Sequence, residues 1–161
     1  MTSSFFFFSG RKANIPVVCV SLHQSLSAAT NMNIGKALSP LRDDDVLILG
    51  SGYTFHNMQA FFNPSKQTVQ ASIDFNEWLK ETILNGKKDA LRKLEEWDAA
   101  PGGRLCHPRE EHLMPLLMVA AAGTNSSGEM SPLLIHDTTR NTSREKNESF
   151  LEHAVTGYLF Q

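Results

Sequence analysis

Cysteine is scarce in this chain of 161 residues. Cys19 and Cys106 are the only two, too few for a disulfide framework. Free thiols fit a reducing, cytoplasmic compartment. An excess of charge of one sign is also missing: 15 Lys and Arg against 17 Asp and Glu leave a formal charge of −2. No global basic field exists to hold nucleic acid or an anionic membrane surface. Long apolar runs are absent near the start, where Phe5–Phe8 is the longest. No basic residue precedes it and no cleavage pattern follows, so it reads as a poor signal peptide and as no membrane span. The triplets that begin at Asn125, Asn141 and Asn147 read as glycosylation sequons, but no secretory signal accompanies them. There is no Gly-Lys-Ser/Thr phosphate loop, no Gly-x-Ser-x-Gly elbow and no His-Glu-x-x-His pair. No internal repeat or heptad pattern is present.

What is present is an ordinary globular composition. Apolar residues at 41% and charged residues at 20% exclude a highly charged disordered chain. Met1–Asn14 has no helical or strand period and reads as a disordered leader. Ile15-Pro-Val-Val-Cys-Val-Ser-Leu22 and Val46-Leu-Ile-Leu49 are β-branched or aliphatic runs, and both predict buried strands. Between them, Ser27 is an N-cap for a helix from Ala28 to about Leu41, ended near Pro40. Tyr53–Lys66 is irregular. A helix follows from about Val69 to Leu84, with Ile73, Trp78, Ile83 and Leu84 as core positions and Asn85-Gly86 as its stop. Asp89–Trp97 forms a short helix. Leu113–Ala122 forms a helix buried on most sides, which requires Pro115 to lie in its first turn. Gly123–Lys146 is a polar loop and His153–Phe160 a last strand. Strands joined by helices predict an α/β fold: a mixed, mostly parallel sheet flanked by helices. Ligands in such sheets sit at the carboxyl ends of strands, and His56 follows the second strand closely.

Gly50-Ser-Gly52 ends that strand as a nucleotide-binding turn would, but it lacks a third glycine and a helix directly after it. Imidazole titrates near neutrality and binds metals, so the histidines carry the search. His23 opens a loop, while His136 and His153 fall in or near the polar tail. For His56, spacing leaves a functional and a structural role equally open. His107 and His112 lie five apart, with Glu110 and Glu111 between them. That is a metal-site composition at a spacing that matches no zinc motif. Cys106 beside His107 resembles a thiolate–imidazole pair, but chain neighbours rarely face each other. Trp78, Trp97 and Phe61-Phe62 read as packing residues, with substrate stacking open to the phenylalanine pair.

Five segments, taken in order and spacing, resemble the class III extradiol ring-cleavage dioxygenases, and more closely their DOPA 4,5-dioxygenase-like branch. They are Ile15–Leu22, Gly35-Lys-Ala-Leu-Ser-Pro-Leu-Arg42, Val46-Leu-Ile-Leu-Gly-Ser-Gly52, His56-Asn57 and Glu111-His-Leu-Met-Pro-Leu-Leu117. The resemblance implies that 15–161 is the C-terminal part of such a domain, an incomplete version of that fold. It implies a mononuclear Fe(II) or Zn(II), a catecholic substrate and O2. His112 matches a metal ligand. His56 matches the acid/base beside the metal, sometimes counted as a ligand, with Asn57 orienting it. Two further metal histidines belong to the half of the family chain that is absent here. The chain is therefore expected to be weak or inactive alone, with an oligomer or a complementing chain among its candidate partners. The alternative is a non-catalytic interaction protein that keeps the dioxygenase fold.

Overall fold

The computed structural model describes residues 16–85, 87–125, 130, 132–137 and 156–160. The leader Met1–Asn14 and the sequons at Asn141 and Asn147 lie outside them, as does His153.

Helix α1 spans Ala28–Leu38. Ser27 caps it as expected, its hydroxyl accepting from the Thr30 N–H at 3.3 Å. The α-helix stops before Pro40, and a 3₁₀ turn over Ser39–Asp44 carries the chain on. Asp45, at φ 57°, reverses the backbone there. Short helix α2 covers Met58–Phe62. Helix α3, Lys66–Asn85, begins three residues earlier than Val69. Ser65 and Thr68 cause this: each backbone N–H donates to the other's hydroxyl, which satisfies two otherwise orphaned donors at the helix start. Helix α4 is Ala90–Glu95 and α5 is Gly103–Cys106. Helix α6, Met114–Ala122, holds Pro115 in its first turn, where the missing N–H costs nothing.

Helix α6 lies at the centre, packed by α1 and α4. Its residues Met114, Leu117, Met118, Ala120, Ala121 and Ala122 are all buried, as an apolar-all-round helix requires. Gly35 lets α1 touch α6 backbone to backbone, because a Cβ there would overlap the Met118 carbonyl. The buried face of α3 is Ala71, Ser72, Phe75, Asn76, Leu79, Thr82 and Ile83. Of the expected core positions on this helix only Ile83 is buried; Ile73, Trp78 and Leu84 lie at its margins. Trp78 instead stacks on Phe75 at 5.7 Å.

The predicted mixed, mostly parallel sheet is not there. The described residues are mainly helical, and their one sheet is an antiparallel ribbon of β1, Pro132–Asp137, and β2, Thr156–Phe160. Its register shifts between Leu134 and His136. β1 also occupies part of the expected polar loop. Residues 16–22 and 46–52 form no helix and join no ladder among the described residues. A β-branched run favours extended backbone, but a strand forms only where a neighbour supplies its hydrogen bonds. The expected burial fails for the same reason: Val17, Val18, Leu47 and Leu49 are all more than two-thirds exposed. Among the described residues no helix is long and apolar enough to cross a membrane.

Candidate functional site

The Gly50-Ser-Gly52 turn is a packing device. Side chains at its glycines would collide with helix α6: at Gly50 with the Pro115 carbonyl and Val119, at Gly52 with the His112 carbonyl. Two bare α-carbons therefore let the chain lie against the start of α6. From there residues 53–57 run along 105–112 and are clipped at several points. The Tyr53 N–H donates to the His112 carbonyl and the His56 N–H to the Cys106 carbonyl, each at 2.9 Å. Asn57 adds a third clip, its amide Nδ2 donating to the Leu105 carbonyl at 2.8 Å. The Asn57 Oδ1 accepts from the Ala60 N–H and so caps α2. Asn57 thus fixes the backbone that follows His56 and does not touch the imidazole by these bonds.

These clips bring His56 and His112 together. Their ring centroids are 3.4 Å apart and the planes differ by 23°, a stacked pair. The Tyr53 ring lies 6.3 Å from each. Burial holds the His56 imidazole below its ordinary pKa. The His112 charge pushes it the same way, and Glu111 opposes both. A lowered pKa keeps His56 neutral at pH 7, with a ring nitrogen able to accept a proton.

His107 sits close by, fully buried, and meets the rings of Phe75 and Trp97 edge-on at 5.7 and 6.0 Å. Its pKa is pushed down to about 4, chiefly by burial; the Thr54 backbone carbonyl opposes this and the other two imidazoles add to it. Sequence reading left Tyr53 in an irregular stretch and missed it as a neighbour of the pair. Its place directly after Gly52 was the available signal.

The remaining candidates separate from the pair. The Cys106 thiol donates to the Ala71 carbonyl at 3.5 Å, and burial pushes its pKa up to about 12. It is not a nucleophile paired with His107. Glu110 is committed to Arg104, whose guanidinium lies 2.6 Å away and holds the carboxyl below its usual range. Arg104 in turn covers the face of Trp97 at 4.6 Å. Glu111 pairs with Arg109 at 3.4 Å. His23 belongs to a turn, bonding Ser25 at 2.8 Å, while its backbone N–H donates to Asn31. Phe61 packs on the core, and Phe62 meets it edge-on at 5.5 Å.

A divalent ion in non-haem chemistry ordinarily takes at least three protein donors. His56 and His112 supply two imidazoles. Among the described residues no group of three or more His, Cys, Asp or Glu is arranged to hold a metal. The donor set therefore does not form a complete metal site by itself.

Comparison with known proteins identifies the lineage of this arrangement. The family described as the catalytic LigB subunit of aromatic ring-opening dioxygenase matches residues 5–143. A 4,5-DOPA dioxygenase extradiol of Mirabilis jalapa is 34% identical over 120 residues, 74% of this chain and 44% of its own. One of Beta vulgaris is 35% identical over 128 residues, 79% of this chain and 46% of its own. Dioxygenase tasH of Hapsidospora irregularis is 34% identical over 124 residues, 69% of this chain and 37% of its own. No solved structure matches the chain significantly. The chain spans less than half the length of these relatives. The extended match and the order of the segments that converge on His56 and His112 make this chain a member of the LigB-type aromatic ring-opening dioxygenase family.

Proposed function

We propose that the chain carries the His56–His112 part of an extradiol site that opens a catecholic ring with O2. The observation that supports this most directly is the 3.4 Å stack of two imidazoles far apart in sequence. Extradiol cleavage breaks the ring C–C bond beside the diol and adds both atoms of O2 to the product. It begins with loss of a catechol proton, and the neutral His56 is the group fitted to accept it. Tyr53 borders the space beside the pair, where an aromatic substrate can lie. Family resemblance makes Fe(II) or Zn(II) the expected metal, with His112 and His56 as ligands. Two imidazoles do not complete its donor set, so no step is derived through it.

Alone, the chain is then a poor catalyst. Complementation is the direct test. The part of the Beta vulgaris relative outside its match to this chain is co-expressed with it, and the product is given Fe(II), air and L-DOPA. The yellow semialdehyde is expected to form, and to be lost in His56→Gln. Rapid turnover by the chain alone would contradict the incomplete site. No ring opening with the complement, or turnover indifferent to His56→Gln, would contradict the activity.

The exposed Val17, Val18, Leu47 and Leu49 favour a second reading, a non-catalytic protein that binds a partner. It predicts a stable complex in the same experiment with no ring opening.

A further inference from the structure

We propose that the mouth of the His56–His112 site takes a catechol with an apolar ring substituent in preference to one with a charged side chain, with Tyr53, Met58, Phe62 and Leu105 as its wall. The inference rests on the site reading for where the catechol ring lies. It adds the chemistry of what that ring carries.

Large apolar side chains exposed among the described residues fall in two groups. One belongs to 17–20 and 41–49. The other is Tyr53, Met58, Phe62 and Leu105, each at least 40% exposed, and backbone geometry gathers it around the pair. The Tyr53 N–H is held on the His112 carbonyl, and its ring is equally far from both imidazoles, at 6.3 Å. A third ring on the axis of a stack would be nearer to one member than to the other. Tyr53 therefore stands beside the stack, with its plane 24° from that of His56. It offers an exposed flat face next to the pair. Met58 comes two residues after His56, at the first position of α2, and Phe62 stands one turn later on the same face of that helix. Leu105 is drawn alongside Asn57, whose amide donates to the Leu105 carbonyl at 2.8 Å.

The fold does not need these side chains for its core. That role falls locally to Phe55, Ala60 and Phe61. Asn57 supplies the cap of α2. An apolar surface that adjoins a site and serves no core is suited to cover an apolar ligand group. Charge points the same way. The guanidinium groups that flank Leu105 and His112 in the chain are already engaged: Arg104 by Glu110 and Asp98, and Arg109 by Glu111. An amino-acid substituent at this mouth would put its carboxylate and ammonium against apolar walls.

The test is equilibrium binding to the full chain, without metal and under argon, so it needs no turnover. 4-Butylcatechol and L-DOPA, which carries both charges, are titrated while the Tyr53 ring and Met58 methyl signals are followed by nuclear magnetic resonance. The alkyl catechol is expected to shift both signals and to bind about tenfold tighter than L-DOPA, which is what burying about two methylenes contributes. Met58→Lys is expected to remove most of that preference, with Phe62→Lys as the second variant should the first not fold. Val18→Lys, in the other apolar group, is expected to leave it unchanged. Equal binding of the two ligands, or no binding of either, would overturn the proposal. So would a preference that survives the folded Lys variants of the wall, or one that is lost in Val18→Lys. Failure of ring opening in the complementation experiment would leave these titrations unchanged, so the two readings fail separately.

Discussion

Desolvation decides the chemistry of three side chains around the site, and its sign depends on the charge each would carry. For the Cys106 thiol, burial disfavours the thiolate and pushes the pKa up to about 12. For His56 and His107 it disfavours the imidazolium and lowers the pKa. Native alkylation is therefore expected to label the exposed Cys19 and spare Cys106, with the second label appearing only on denaturation. A mass spectrum with two labels on the folded chain would contradict that burial. For His107 the folded pKa of about 4 lies below the unfolded 6.5. Between those values the unfolded chain binds more protons, so stability is full above about 6.5 and is lost as pH falls towards 4. The loss amounts to about 3 kcal/mol from this residue. Urea denaturation across that range is expected to show it, and His107→Phe to flatten the profile. The sequence names all three groups, and sets Cys106 beside His107, but burial is a property of what packs around them. Residue type alone could not separate the catalytic candidate His56 from the buried His107.

At the scale of elements, local chemistry was legible and partnership was not. Ser27 marked the start of α1, and Pro115 had to fall in the first turn of α6. Both signals act within a few residues of themselves. The start of α3 was missed because Ser65 and Thr68 form a reciprocal cap that the residue types imply only weakly. Its core face was misread by favouring bulky residues over spacing; Phe75, Leu79, Thr82 and Ile83 follow the 3.6-residue period. The two β-branched or aliphatic runs were misread as buried strands, since a ladder is a relation between segments and neither run joins one among the described residues. Glycine contacts give the sharpest element-scale prediction. Gly35→Ala forces α1 off α6 and should cost about 1–3 kcal/mol in thermal or chemical denaturation. Gly52→Ala meets the His112 carbonyl, so it should weaken the His56–His112 stack as well as stability. An alanine tolerated at both positions without loss would contradict the close packing of α6.

The described residues combine a small helical core with apolar segments open to solvent. Val18 is 85% and Leu49 is 79% exposed, although both belong to runs with the composition of interior strands. Exposed apolar side chains in such number promote association. The isolated chain is expected to bind a hydrophobic dye and to self-associate as concentration rises, as read by sedimentation. Val18→Lys with Leu47→Lys should suppress both while shifting stability by no more than about 0.5 kcal/mol per site. Unchanged association in that double variant would show that these segments are not its source. The family relation was legible because five short segments keep their order over most of the chain. The shortage of donors at the site follows from counting: two imidazoles converge, and the described residues add no third ligand.

Convergence of His56 and His112 is the claim from which the rest follows, and ring-to-ring magnetisation transfer in the native chain measures it most directly. With centroids 3.4 Å apart, strong cross-peaks between the two imidazoles are predicted at neutral pH. A folded chain in which those cross-peaks are missing would contradict the site assigned here.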